Sequence, residues 1–435
     1  MRGPELWEEA KKIIPGGNQL LSKRSEMFLP NLWPSYYAEA KGVEILDLDG
    51  NRFVDMSIMG IGSCILGYAD KDVDSAVVKA ITNGSMSTLN SPEEIELANI
   101  LCEIHPWAKM VRYARSGGEA MAIAVRIARA HSGKDKIAFC GYHGWHDWYL
   151  AANLADDKNL DGHLLPGLKP AGVPRGLKGT AIPFHYNDLD ELKKIVSENK
   201  DIGVIITEAI RLQEPKNNFL HEVKKIAKKI GAVLIFDEIS SGWRSVAGGA
   251  HLLYKVNPDI AVFAKAMSNG YPMSAIIGRK NVMQSAQKTF ISSTYWTERI
   301  GPTAALATIH KIVSHNVPAH LERIGRILIK ALRKLAEKHD IKITIPEHYP
   351  VISFTFDYGE KSMAVKTLFT QEMLRRGFLA SNVIYITYAH KEFHIERYLK
   401  NVDVVFKIIK KAISENNIEK LLEGLISHSG FKRLT

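Results

Sequence analysis

Cysteine is scarce in this chain. Only Cys64, Cys102 and Cys140 occur in 435 residues, and no two form a CxxC pair. That excludes a disulfide framework or a zinc ribbon and fits a reducing cytoplasm. Long apolar runs are also missing. Met56 to Ala69 is uncharged, but Gly60, Gly62 and Ser63 break it, and it is too short to cross a bilayer. No secretory signal is expected, because Glu5, Glu8 and Glu9 interrupt the N-terminus and no apolar segment follows. A nucleotide-hydrolase loop is absent. Its nearest match, Ala128 to Lys134, has Ala for the first glycine and Asp135 for the Ser or Thr. Acidic residues are outnumbered, giving a formal charge of +10. The excess lysines lie on amphipathic segments such as His221–Ile230 and Phe406–Ala412, which read as solvated helix faces. Without a recognition motif they imply no nucleic-acid partner, although an anionic substrate suits them.

What is present is an ordinary globular composition, 46% hydrophobic and 24% charged. The length suggests two or three domains. A short helix over Trp7–Ile14 ends at Pro15-Gly16-Gly17, and an irregular arm follows. Residues 43–55 form a hairpin around Asp49-Gly50-Asn51. Helices are expected at 71–83 and 92–104. Apolar runs at 136–140, 203–207, 232–236 and 260–264 alternate with helical patterns. Such runs are strands buried on both faces of a parallel sheet. One helical pattern covers 301–339, and a strand–helix–strand–helix succession completes the chain. The expected class is α/β, with a large domain whose mostly parallel sheet is wrapped by helices and a smaller α+β domain after it. The expected division is an N-terminal arm and hairpin over 1–60, a large domain over 61–310 and a small C-terminal domain over 311–435.

Two apolar runs end in chemistry. Val233-Leu-Ile-Phe-Asp237 ends in a carboxylate, and Ile260-Ala-Val-Phe-Ala-Lys265 ends in an amine. At the C-terminal ends of neighbouring strands both would enter the crevice where open α/β sheets bind ligands. A lysine for a Schiff base and an acid for a pyridine nitrogen are what pyridoxal phosphate requires. A buried interdomain salt bridge is the plain alternative for Lys265. Ser116-Gly117-Gly118-Glu119 stands between a strand and a helix, where backbone N–H groups and the helix dipole can receive a phosphate. A plain tight turn would look the same. Tyr142-His143-Gly144-Trp145-His146-Asp147-Trp148 follows another strand, and Tyr142 or His143 suits a flat ring. His143, His146 and Asp147 could instead be metal ligands or a surface loop, but no second ligand cluster accompanies them, and no metal is expected.

Taken in order, Ser116-Gly-Gly-Glu-Ala120, Tyr142-His-Gly144, Phe236-Asp-Glu-Ile239, and Ala264-Lys265 with Asn269-Gly270 resemble the class III aminotransferases of pyridoxal-phosphate fold-type I. Ile14-Pro-Gly-Gly17, Leu48 to Asp55 and Gly133-Lys-Asp-Lys-Ile137 look similar to the glutamate-1-semialdehyde aminomutase branch. The resemblance implies that Lys265 carries the Schiff base and Asp237 meets the ring nitrogen. It implies Tyr142 and Ile239 on the two ring faces and Glu208 near the ring or substrate. Ser116, Gly117 and Gly118 would hold the phosphate, with His143 beside the cofactor. Thr294 would reach the phosphate of the neighbouring subunit in a homodimer with shared sites, with Thr297 its rival. The chain departs from the aminomutase pattern at Leu20 to Arg24, after Glu208 and across Tyr295 to Gly301. Lys23, Arg24 and Arg211 there are candidate substrate contacts. The expected activity is amino transfer from an amino-acid donor to a carbonyl acceptor, a sugar or an anionic metabolite. An intramolecular aminomutase is one alternative. A non-catalytic structural homologue is another, opposed by the presence of both Lys265 and Asp237.

Overall fold

The strands of the large sheet bury side chains alternately on two faces, and this sets where the later chemistry points. The computed structural model describes residues 2–163, 166–210 and 213–430. Contacts divide the chain into two units, Lys71–Pro318 and Met1–Asp70 with Ala319–Thr435.

In the first of these, seven strands form one sheet. They are β1 (Met110–Ala114), β2 (Lys136–Cys140), β3 (Ala181–Pro183), β4 (Ile202–Glu208), β5 (Val233–Asp237), β6 (Ile260–Phe263) and β7 (Ser274–Gly278). Their order is β1-β7-β6-β5-β4-β2-β3. Every neighbouring pair from β6 to β3 is parallel, and β7 runs antiparallel to both β6 and β1. Val233 and Ile235 pack with Ala120, Ala124 and Ile127 of α1 (Gly117–Ser132). Leu234 and Phe236 pack on the other face with Phe219 and Val223 of α2 (Phe219–Ile230). Val204 and Ile206 of β4 take the α1 side as well, and Ile205 the α2 side. This period of two explains the continuous apolar runs. Each such buried side chain contributes roughly 1.5–3 kcal/mol. The same parity carries Glu208 and Asp237, the last residues of β4 and β5, to the α1 side, where they stand in register.

The expected helix over 301–339 is two helices, α3 (Ile300–Ser314) and Val317–His339. Asn316 lies between them with φ of 46°, and Pro318 lacks an N–H. A left-handed residue followed by proline ends one helix and starts another.

The second unit joins chain segments that the expected division kept apart. Strands Tyr37–Lys41, Glu44–Asp47, Arg52–Met56 and Phe378–Ala380 form one sheet in that order. The hairpin turn is held by Asp47, which accepts from the N–H groups of Asp49 and Asn51. Phe378 pairs with Val54 in parallel, and Phe53 and Leu379 share an apolar cluster with Phe28, Leu29 and Trp33. The boundaries drawn at 60/61 and 310/311 therefore differ from the observed ones. The hairpin finds its partner strand in a distant segment, which local patterning does not show. Among the described residues no helix is long and apolar enough to cross a membrane.

Candidate active site

The site is built where β4, β5 and β6 end and α1 begins. Asp237 is 3% exposed, and two donors hold it. The N–H of Ile239 donates to Oδ1 at 2.9 Å, and Nδ1 of His143 lies 2.8 Å from Oδ2. The other ring nitrogen of His143, Nε2, is 3.0 Å from the carbonyl of Cys140. A carbonyl only accepts, so Nε2 carries a proton. The contact with Asp237 then requires a second proton on the pair. His143 is 1% exposed, and its ring lies near-parallel to Trp148 with centroids 6.4 Å apart. Its place is therefore behind Asp237, as a proton-bearing support, rather than as an open stacking face.

Lys265 follows β6 with φ of 50°, a left-handed conformation for a residue with a long side chain. Such strain costs of order 1–3 kcal/mol and gathers at functional positions. Nζ of Lys265 donates to Oγ of Ser240 at 2.7 Å. Ser240 lies three residues beyond Asp237 in the chain, so the amine is directed toward the end of β5. Ser240's part is not legible in the sequence, because nothing in its neighbourhood distinguishes it from a turn serine.

The phosphate turn is closely flanked. A Cβ on Gly117 would come within 2.9 Å of Cδ1 of Ile239, and one on Gly118 within 3.2 Å of the His146 ring. Glycine at both positions lets Ile239 from β5 and the 142–148 loop close on the start of α1. The first N–H groups of a helix have no intrahelical acceptor, and the dipole there favours an anion. Oε2 of Glu119 accepts from the N–H of Ser116 at 3.0 Å and from its hydroxyl at 3.1 Å. Ser116 is thus committed to capping α1.

Tyr142 is 40% exposed, and its ring meets Tyr149 edge-on at 5.9 Å. Burial and then the charge of Asp237 push its phenol above the ordinary range. Thr294 and Thr297 are exposed on one 3-10 turn, Thr294–Thr297. The hydroxyl of Thr297 donates to the carbonyl of Thr294 at 2.9 Å.

That turn is anchored by a pair the sequence reading did not find. Nε of Arg115 lies 2.6 Å from Oε1 of Glu298, and Nη2 donates to the carbonyls of Trp296 and Glu298 at 3.0 and 2.8 Å. Glu298 also accepts from the N–H groups of Ile300 and Gly301, at 2.5 and 2.9 Å, and so caps α3. Arg115 precedes the phosphate turn directly, so the pair ties the 294–298 segment to Ser116. Burial lowers the Arg115 guanidinium from its usual range against the opposing pull of Glu298.

Ser116, Gly117, Gly118, Tyr142, His143, Glu208, Asp237, Ile239, Lys265 and Thr294 all lie in the Lys71–Pro318 unit. Lys23 and Arg24 belong to the other unit, where Lys23 is exposed and Arg24 packs on Gly16. Arg211 lies outside the described residues. Among the described residues no group of three or more His, Cys, Asp or Glu could hold a metal ion.

These parts fit pyridoxal phosphate: a glycine cradle at a helix start, an aromatic and an aliphatic face, a buried carboxylate and a lysine. The fold and site define a fold-type I pyridoxal-phosphate enzyme. The family described as Aminotransferase class-III matches residues 30–401, and the chain belongs to it. It is similar to the 3-aminobutyryl-CoA aminotransferase of Cloacimonas acidaminovorans (strain Evry), 33% identical over 404 residues, 90% of this chain and 93% of that one. The glutamate-1-semialdehyde 2,1-aminomutase of Nitrosopumilus maritimus (strain SCM1) is 30% identical over 435 residues, 94% of this chain and 100% of its own length. The solved pyridoxal-phosphate form of the Sphingopyxis sp. MTA144 FumI protein superposes with a TM-score of 0.85 at 21% identity, covering 95% and 97% of the two chains. The protein is a pyridoxal-phosphate-dependent enzyme of the class III aminotransferase family, and it transfers amino groups.

Proposed function

We propose that this enzyme works by two half-reactions, taking the amino group from an external amino acid and passing it to an anionic carbonyl acceptor. The observation that carries the reading is the buried Asp237–His143 pair in register with Glu208, beside the strand that leads to Lys265. Pyridoxal phosphate, when bound, supplies a carbonyl for the amine and a ring that accepts electron density. The rest is done by the chain. Asp237 holds a proton at the ring nitrogen, and His143 keeps the carboxylate aimed and supplied with hydrogen bonds. Nζ of Lys265 carries the substrate's α-proton between carbon atoms, and Ser240 positions it when idle. Tyr142 and Ile239 fix the ring plane. Gly117 and Gly118 give N–H groups to the phosphate.

An anionic acceptor suits the charge of +10 and the activity named for the Cloacimonas relative. Two half-reactions suit the segment Thr294–Gly301, where the chain departs from the aminomutase pattern and is held by Arg115 and Glu298. Thr294 is the threonine offered to a second subunit, since Thr297 spends its hydroxyl proton on the Thr294 carbonyl. Exposed Tyr295 on the same segment and exposed Phe290 just before it support a homodimer with shared sites. Cys64, Cys102 and Cys140, none of them in a disulfide among the described residues, support a reducing, cytoplasmic setting.

The test is a donor panel on the purified enzyme, read by half-reaction spectra. Glutamate should convert the cofactor to its amine form stoichiometrically and release a keto acid, in a species that sediments as a dimer. Isomerisation of an amino-aldehyde with no response to any amino acid would replace this reading by the aminomutase, which the Nitrosopumilus relative represents. A fully active monomer would overturn the shared site.

A further inference from the structure

We propose that His146 is a phosphate-binding residue of this enzyme, its imidazole supplying at the phosphate turn the side-chain donor that Gly118 cannot. The inference rests on the reading of residues 116–118 as the cofactor's phosphate cradle. Three observations carry it.

The first is position. Cε1 and Nδ1 of His146 both stand 3.2 Å from where a Cβ on Gly118 would lie. The ring therefore fills the space of a residue-118 side chain, at the second residue of α1. The second is an unmet need. Nδ1 of His146 is buried and has no hydrogen-bond partner among the described residues. Buried polar atoms are nearly always paired, and one without a partner points to a ligand that completes it. The third is that the loop is shaped to hold the ring there. Gly144, with φ of 108°, lies so near that its own Cβ would be 3.0 Å from Cα of Gly118. His146 stacks on Trp145 with centroids 4.5 Å apart, and its carbonyl accepts from the N–H of Tyr149 at 2.9 Å. The ring is thus fixed on both sides of its Cα.

A phosphate has more acceptor sites than the two glycine N–H groups can fill. Ser116 does not fill them, because its hydroxyl is given to Glu119. A proton on Nδ1 of His146 adds a donor beside Gly118. Burial holds the imidazole below its usual range, while the carboxylates of Glu119 and Asp147 act in the other direction.

The experiment compares pyridoxal phosphate with pyridoxal, which lacks the phosphate, by titrating each into apoenzyme and following fluorescence quenching. In His146→Ala the affinity for pyridoxal phosphate should fall by about tenfold to a hundredfold, the range of one hydrogen bond to a charged group, with pyridoxal affinity unchanged. Gly118→Thr combined with His146→Ala restores a hydroxyl in the vacated space and should recover most of the loss. Equal weakening toward both ligands would show a structural role and overturn the proposal. So would no change toward pyridoxal phosphate, or a double variant no better than His146→Ala. A wild-type enzyme that binds both ligands equally would instead overturn the cradle reading itself.

Discussion

Asp237 and Glu238 are adjacent, both buried, and each lies 2.8 Å from a histidine ring nitrogen, yet they are built for opposite ends. Asp237 turns to the α1 side of the sheet. Its histidine, His143, faces two acceptors, the carboxylate and the Cys140 carbonyl, and the pair must hold an extra proton. Glu238 turns the other way and is closed. It accepts from the N–H and Nδ1 of His251, both at 2.8 Å, and from the hydroxyl of Ser241. The far nitrogen of His251 accepts from the indole of Trp107 at 3.1 Å, so that ring is neutral with its proton on Nδ1. Burial raises the Glu238 carboxyl, but the donors of His251 and Ser241 outweigh it and leave it below its usual range. The two carboxylate–histidine pairs thus differ in what the outer nitrogen meets. An acceptor there makes a pair that keeps a proton to use, and a donor makes a pair that locks the fold.

The largest test of that contrast is Asp237→Asn. The amide can still accept from Ile239, but the charge that serves the ring nitrogen is gone. Proton transfer at the substrate carbon should slow by about two to four powers of ten, since breaking a buried pair costs roughly 3–5 kcal/mol. The melting temperature should hardly move, because a neutral His143 that keeps its Nε2 proton for the Cys140 carbonyl can accept from the new amide at Nδ1. Single-turnover kinetics at full cofactor occupancy measure the effect, and a loss below about tenfold would remove Asp237 from this role.

Glu238→Gln should give the mirror result. The new amide puts N–H donors against those of His251 or Ser241, and about 2–4 kcal/mol of folding stability should go, with activity per folded enzyme within a few-fold. Urea unfolding and active-site titration separate the two quantities. Collapse of activity with stability intact would dissolve the distinction between the pairs.

The contrast was half legible in the sequence. The apolar runs announced β5 and β6, and Asp237 lies where strand parity sends it, whereas Lys265 stands just past the end of β6, where a left-handed residue rather than parity sets its direction. What could not be read was pairing across distance. His143 and Asp237 are separated by 94 positions, and Arg115 meets Glu298 across 183. The loop of aromatic residues suggested a stacking surface, and only the fold shows that His143 is turned inward while Tyr142 stays accessible. Ser240 and His146 look like ordinary turn residues until Lys265 and Gly118 are set beside them. The long pattern over 301–339 misled because helical periodicity continues through Asn316, where the backbone does not.

The smallest expected effect probes the histidine that packs on the closed pair. His105 lies 5.6 Å from the His251 ring and is fully buried. Nδ1 is 2.9 Å from the carbonyl of Leu101, and Nε2 accepts from the N–H of Gly249 at 2.9 Å. One partner accepts and the other donates, so only the neutral ring fits. Burial lowers this imidazole from 6.5 to about 4. The unfolded chain therefore binds the proton first as pH falls, and stability declines on acidification across the window from about 6.5 to about 4. At pH 5 the difference amounts to about 2 kcal/mol. Glu238 acts in a lower window, since a depressed carboxyl loses its contribution only below its ordinary value of 4.5. His390, buried in the other unit and also lowered to about 4, adds a like amount that a change at residue 105 leaves alone. His105→Gln should be less stable than wild type at pH 7, because neither neighbour is met as well. Its further loss between pH 7 and pH 5 should be smaller than wild type's by about 2 kcal/mol in urea titrations at the two pH values. Equal losses in both proteins would mean that His105 takes up its proton in the folded state as readily as in the unfolded one. The closed pair would then tolerate a charge that its hydrogen bonds are arranged to refuse.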